Sequence, residues 1–225
     1  MTRSLADTFV MDAQHAVEQR GAFYVALAGG STPRPAYKLL AEEPRIEEIA
    51  WKDVHVYFSD ERCVPPQDDE SNYKMACEAL LSAVNIPSAN INRMKGEEDP
   101  QNAAREYTQV LRGDLGESSC LDLIILGMGS EGHTASLFPG YAANGDRLVD
   151  APFVEKFGSY RLTMTPRLIN AARHVVIVTT GNEKAHALAA ARTGTYDPNI
   201  YPIQLIEPLE GRLTWLVDRA AAAQM

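Results

Sequence analysis

The chain has only three cysteines in 225 residues, Cys63, Cys77 and Cys120, too few and too far apart to brace a fold. An odd number with no C-x-x-C pair suits reduced thiols in a cytosolic protein better than a disulfide framework. Long apolar runs are missing as well: no stretch approaches the ~18 residues of a membrane helix, and Asp7, Asp12 and Glu18 interrupt what would have to be the apolar core of an export signal. The expected compartment is the cytoplasm. Runs of basic residues are also absent. Lys and Arg total 21 against 30 Asp and Glu, a net charge of −9, and the cations are scattered, so no stripe exists that could track a phosphate backbone. Nucleic acid and membranes therefore drop out as partners, and a small-molecule substrate remains. The same overall charge repels anions at long range, so an anionic ligand would need a locally positive site.

What is present is ordinary globular composition, 45% apolar and 23% charged, in a chain long enough to bury a sizeable core. Ser4 followed by Asp7 reads as a capping box opening a first helix that Gly21 closes. Phe23 to Ala28 is a run of strand length, Thr32 and Pro33 read as the N-cap and first turn of a helix carrying Tyr37, Leu39 and Leu40 inward, and Val54 to Phe58 alternates as a strand. Helices are predicted from Ser71, with Met75, Leu80, Leu81 and Val84 as its apolar positions, and from Asp99-Pro100 through Tyr107, Val110 and Leu111. Leu121 to Leu126, Arg161 to Thr165, His174 to Thr180 and Leu213 to Val217 read as strands, with a short helix from Pro166 and an alanine-rich one over 183–192. Loops are expected over 139–152 and 194–202. Strands alternating with helices, and central strands without a polar face, predict a three-layer α/β/α fold with a mainly parallel, Rossmann-like sheet covered on both faces, in one domain spanning 1–225.

In open α/β sheets ligands bind beyond the carboxyl ends of the strands, and four such segments stand out. Gly29-Gly30-Ser31-Thr32-Pro33 offers close backbone approach, hydroxyl donors and free amides, which suits a phosphate cradle and equally a tight turn; it lacks the Gly-Lys-Ser/Thr ending of a Walker loop. Ser59-Asp60-Glu61-Arg62 sets two carboxylates and a guanidinium at a strand end, where a solvated charged turn is the plainer reading. Gly127-Met128-Gly129-Ser130-Glu131-Gly132-His133 matches G-x-G-x-x-G in form, but Pro139-Gly140 stops any helix after about two turns, against a dinucleotide site. It leaves His133 at a strand end as the best general base among five histidines, because a neutral imidazole takes a proton from water near neutral pH. His15 and His186 fall in helical patterns and His55 and His174 in strands, with no H-E-x-x-H or i,i+4 pair, so neither a metal nor any cofactor is expected. Ser130 is not in a G-x-S-x-G elbow. The fourth segment, Thr179 to Lys184, ends in a lysine able to reach a phosphate, although an exposed helical lysine is the commoner case.

Together these segments resemble the 6-phosphogluconolactonase family, which shares its fold with glucosamine-6-phosphate isomerase/deaminase, over essentially the whole chain. The most specific matches are Gly29 to Pro33, Ser59 to Arg62 with Ser71-Asn72-Tyr73, and the block from Gly127 to Pro139. The resemblance implies hydrolysis of 6-phospho-D-glucono-1,5-lactone by a monomer or small homo-oligomer. His133 would be the catalytic base, Gly29, Gly30, Ser31 and Thr32 would hold the substrate phosphate, and Arg62, Arg161 and Lys184 would be its charged partners. The family usually has Asp two residues before the histidine; here Glu131 takes that place and would orient the imidazole from a different position. Asp60 matches an aspartate that moves protons in the isomerase branch; in lactone hydrolysis it would bind sugar hydroxyls or support Arg62. Isomerases carry Phe-Asn-Glu-Pro where this chain has Ser136-Leu137-Phe138-Pro139, and Phe138 cannot relay a proton. An isomerase/deaminase and a non-enzymatic sugar-phosphate sensor are the rival expectations.

Overall fold

Alternation within the buried strands decides the architecture. Val25, Leu27, Leu123 and Ile125 turn to one face of the sheet, Ala26, Ile124 and Leu126 to the other, and each face supports its own core. The computed structural model describes residues 1–225 except 117–118 and 143–144. In chain order its regular elements are α1 (Thr2–Arg20), β1 (Phe23–Leu27), α2 (Arg34–Leu40), α3 (Arg45–Glu48), β2 (Val54–Phe58), β3 (Asp60–Arg62), α4 (Asn72–Ala76), α5 (Pro100–Leu115) and β4 (Leu123–Gly127). There follow β5 (Val149–Asp150), β6 (Phe153–Val154), β7 (Ser159–Met164), α6 (Pro166–Asn170), β8 (His174–Thr179), α7 (Ala185–Thr193) and β9 (Arg212–Val217). Five strands pair in parallel in the order β2-β1-β4-β8-β9. α1, α2 and α4 pack on one face and α5, α6 and α7 on the other, giving the expected three layers. β8 is buried along its whole length, and each enclosed Val or Ile contributes roughly 1.5–3 kcal/mol of hydrophobic stabilisation.

The chain leaves β1 for β2 on one side and reaches β4 on the other, so a topological switch point lies between β1 and β4, where a crevice is expected at the carboxyl ends. Tyr37, fully enclosed in α2, fixes that end of β1: its hydroxyl donates to the Ala28 carbonyl and accepts from the Ala28 amide, both at 3.0 Å. Burial pushes its phenol far above the ordinary range, so it remains a donor.

Several local expectations are corrected. The capping box at Ser4 and Asp7 does not form, because the helix already begins at Thr2; Asp7 instead pairs with Arg45 at 2.7 Å. Thr32 does not cap α2, which opens after Pro33 without a side-chain cap; its hydroxyl lies 3.2 Å from that of Thr180, just past the end of β8. Val110 is exposed, while Tyr107 and Leu111 hold the core face of α5. The helix from Ser71 is α4 for one turn and then π-helical over Cys77–Leu81. β7 lies outside the parallel sheet; it pairs antiparallel with β3, β5 and β6 in a second, smaller sheet. The two sheets meet at Ser59, whose amide donates to Leu27 and whose carbonyl accepts from Met164. The loop expected over 139–152 contains β5, and its residues 143–144 lie outside the described ones.

Candidate active site

A cleft of about 310 Å³ opens at the switch point, bounded by the ends of β1, β2, β4 and β8. It continues into a second lobe of about 340 Å³ toward β7, and Asp60, Arg62, His133 and Ala135 line both. That is the size of a site for a small, polar ligand. Gly30 turns the chain out of β1 at φ 86°, a left-handed conformation that favours glycine. Among the described residues, the backbone N–H groups of Gly30, Ser31 and Thr32 donate to no protein acceptor, so this loop presents its donors to the first lobe. Lys184, on the Asn182–Lys184 turn after β8, and Arg62 supply positive charge there, beside the carboxylate of Glu183.

The Asp60 to Arg62 segment is not the solvated turn its composition suggests. It is β3, and Asp60 and Glu61 are buried. Glu61 serves the fold: its carboxylate accepts from the backbone amides of Arg62, Asn72 and Tyr73 and from the Ser71 hydroxyl, closing the start of α4 while the Ser71 hydroxyl caps Lys74. Burial and the neighbouring Asp60 push its carboxyl up, the three amide bonds act against them, and the net shift is up. Asp60 faces the cleft. Its Oδ2 accepts from Ser136 Oγ at 2.7 Å and its Oδ1 from Asn72 Nδ2 at 3.2 Å.

His133 sits in a tight loop after β4. The Gly129 amide donates to the His133 carbonyl at 2.8 Å, the Gly132 amide to Gly129 at 3.0 Å, and Thr134 Oγ1 to Gly127 at 2.8 Å. Gly129 makes room for the ring: a Cβ there would lie 2.0 Å from the imidazole Cε1. Phe138 stacks on the imidazole at 4.3 Å between centroids. Next along the chain, Ala135 has φ 46°, a strained conformation for a residue with a Cβ, and it lines both lobes. His133 Nδ1 is buried and 3.3 Å from Glu131 Oε2, close but not aligned as a hydrogen bond. Burial lowers the imidazole pKa, Glu131 and Asp60 raise it, Lys184 lowers it, and the net shift is down. The ring is thus neutral near pH 7, able to accept a proton from the cleft.

The cleft brings together Asp60, His133, Gly29 to Thr32, Arg62 and Lys184, while Arg161 stands in the second lobe, beyond His133 from the glycine loop. Its guanidinium donates to Ser159 Oγ at 2.7 Å and lies over the Phe157 ring at 5.0 Å. Glu131 lies behind His133, facing a groove with Phe138 and Lys156 rather than the cleft. Asn72 and Thr180 fall in segments the sequence singled out, but with no role of their own, and Phe157 and Lys156 were missed. Ser71-Asn72 pointed to a helix start rather than to the Asp60 contact, Thr180 lay in the Thr179 to Lys184 segment whose lysine drew the attention, and Phe157 and Lys156 had no local signal. Among the described residues, no group of three or more His, Cys, Asp or Glu could hold a metal ion, and no helix is long and apolar enough to cross a membrane.

Fold and cleft define an α/β protein whose parallel sheet carries, at its switch point, a donor-rich loop, a cluster of cations and a neutral imidazole. Residues 1–215 match the family of glucosamine-6-phosphate isomerases/6-phosphogluconolactonase, and the chain belongs to it. It is 40% identical over 217 residues to the 6-phosphogluconolactonase of Synechocystis sp., covering 93% of this chain and 88% of that one. The crystal structure of the 6-phosphogluconolactonase from Thermotoga maritima superposes with a TM-score of 0.85 at 30% identity, covering 96% of this chain and 94% of that one. A monomeric glucosamine-6-phosphate deaminase reaches a TM-score of 0.84 at 19% identity over 100% of this chain and 97% of that one, a likeness of fold alone.

Proposed function

We propose that the chain hydrolyses 6-phospho-D-glucono-1,5-lactone to 6-phospho-D-gluconate, in the oxidative pentose phosphate pathway of the cytoplasm, as one domain over 1–225 and with His133 as the general base. The observation that carries the reading is the neutral, cleft-facing imidazole beside a loop of unpaired amides and cations, in a chain similar over most of its length to 6-phosphogluconolactonases. His133 takes a proton from a water, whose oxygen bonds to C1 of the lactone. Donors of the glycine-rich block meet the tetrahedral oxyanion. The C1 to ring-oxygen bond then breaks, the imidazolium returns its proton to the leaving oxygen, and the new carboxylic acid ionises.

The Gly29 to Thr32 loop, Lys184 and Arg62 hold the phosphate, which fixes the lactone ring over the residues common to both lobes and lets remote binding support the chemical step. Asp60, tied by Ser136 and Asn72, is a fixed acceptor for sugar hydroxyls. Arg161 faces the C1 end, where the product gains its carboxylate. Glu131 orients the imidazole from behind.

The test is the disappearance of freshly generated lactone, corrected for spontaneous hydrolysis. His133→Ala is expected to lower kcat by about 10²–10⁴-fold with KM little changed, and Lys184→Ala to raise KM more than it lowers kcat. No acceleration by the folded wild-type protein overturns the reading. Ammonia release from glucosamine 6-phosphate would then favour a deaminase, and tight sugar-phosphate binding without turnover a sensor.

A further inference from the structure

The Glu155–Phe157 turn lies behind the His133 loop and reaches the imidazole from two directions. Lys156 Nζ is 2.5 Å from Glu131 Oε1, and the other oxygen, Oε2, is 3.3 Å from His133 Nδ1 and accepts from Ser130 Oγ at 3.2 Å. Phe157 meets Phe138 edge-on at 5.6 Å, and Phe138 stacks on the imidazole. Lys156 itself lines neither lobe of the cleft.

We infer that Lys156 is a positioning residue for the general base: it anchors one oxygen of Glu131 so that the other stays against His133 Nδ1. The inference rests on the reading of His133 as the base. Its physical ground is the tautomer. A base that acts through Nε2 must carry its proton on Nδ1, and Nδ1 is buried with no aligned partner, Glu131 Oε2 being the one carboxylate within 4 Å among the described residues. A glutamate has three side-chain torsions, and a partly exposed one samples several rotamers unless it is tied. Released, it leaves a buried Nδ1–H without an acceptor, which favours the tautomer with its proton on Nε2, where the lone pair is needed. The carboxylate is suited to this task. Desolvation pushes the Glu131 carboxyl up, but the Lys156 hydrogen bond and the charges of His133 and Lys156 bring it down to about 2, so it is ionised throughout the working range.

The test compares Lys156→Met, Lys156→Arg, Glu131→Gln and the Lys156→Met/Glu131→Gln double variant by steady-state kinetics. The imidazole Cε1–H of His133 is titrated by NMR in parallel, its signal assigned by its loss in His133→Ala. Because the Lys156 ion pair is partly exposed, Lys156→Met is expected to lower kcat by up to about fivefold with KM within twofold. Lys156→Arg restores most of the rate, and the double variant is no slower than Glu131→Gln alone. Glu131 raises the His133 pKa, so both single variants shift the imidazole titration to lower pH. Wild-type kinetics and an unmoved titration in Lys156→Met, additive losses in the double variant, or a titration that moves up would each overturn the inference. If His133→Ala keeps its rate, the base reading falls and takes the positioning role with it; if that variant is inactive while the titration of Lys156→Met is unmoved, the role of Lys156 falls alone.

Discussion

Replacing Gly129 by alanine tests the His133 loop with a single methyl group. The added Cβ would lie 2.0 Å from the imidazole Cε1 and Nδ1, whereas ordinary carbon contacts begin near ~3.5 Å, so the ring must move by about 1.5 Å. It has little freedom to do so. The Gly129 amide is bonded to the His133 carbonyl at 2.8 Å, which couples the two backbones, and the ring already stacks on Phe138. Overpacking of this kind costs about 1–3 kcal/mol of stability, and a displacement of about 1 Å at a reacting group costs about 10²-fold in rate. The expected result is a folded protein with kcat for the lactone reduced about a hundredfold and KM within a few-fold, because the Gly29 to Thr32 loop is untouched. Gly113→Ala is the matched control. Its Cβ meets nothing within 4 Å in the interior of α5, so it should stabilise the protein by about 0.5–1 kcal/mol and leave turnover unchanged. Circular dichroism establishes folding, and lactone consumption gives the rates. A folded Gly129→Ala with kcat within threefold of wild type refutes the argument that the position of His133 sets the rate.

The acid limb of kcat/KM reports His133: protonation removes the base, and burial lowers its pKa, so activity should persist below the ordinary imidazole value of ~6.5 and fall only at lower pH; a midpoint above 6.5 contradicts the burial argument. Tyr37→Phe removes the hydroxyl that pairs both the Ala28 amide and the Ala28 carbonyl at the root of the Gly29 to Thr32 loop, so urea unfolding should show a loss of about 1–3 kcal/mol and kinetics a raised KM. Asp12→Ala removes the carboxylate that lies 2.5 Å from the buried His174 Nδ1 and accepts from Arg212 at 2.9 Å. It should cost about 1–3 kcal/mol in the same assay with kcat unchanged, since this tie between α1 and the amino ends of β8 and β9 lies across the sheet from the cleft.

The layer architecture was legible because hydrophobic pattern is a local property. Leu121 to Leu126 and His174 to Thr180 are continuous apolar runs, and only a sheet covered on both faces accommodates them. The ends of strands were legible for the same reason, so Gly29 to Pro33, Asp60, Arg62 and His133 all fall on the rim of one crevice. Pairing was not. β7 reads like any other strand, yet it joins β3 in a separate sheet because the chain turns at Ser59, and that turn sets Arg161 in the second lobe. Burial of charge was hidden too. Nothing local to Glu61 tells that its donors are the amides of a helix start eleven and twelve residues later. The Glu131 to Lys156 pair spans 25 residues and two elements, a separation over which one sequence carries no pairing signal.

The shared fold cannot separate lactone hydrolysis from sugar-phosphate isomerisation, because a deaminase superposes on this chain nearly as well as a lactonase does. The distinction lies in the proton inventory. Isomerisation moves a proton between adjacent carbons and opens a ring, which needs a second carrier in addition to the imidazole. Four residues line both lobes of the cleft, Asp60, Arg62, His133 and Ala135. Arg62 is a guanidinium, a donor with no lone pair to accept a proton, and Ala135 has no proton to give. Asp60 is held by Ser136 and Asn72, with lone pairs left for sugar hydroxyls, and Phe138 covers a face of the imidazole with a ring that carries no exchangeable proton. Glu131 is held behind His133 by Lys156. The imidazole therefore lacks the glutamate relay that the resemblance gives to ring opening in the isomerase branch. One base is enough for the proposed ester hydrolysis, where the proton taken from water is returned to the leaving oxygen, and with Phe138 in the relay's place it is one too few for ring opening.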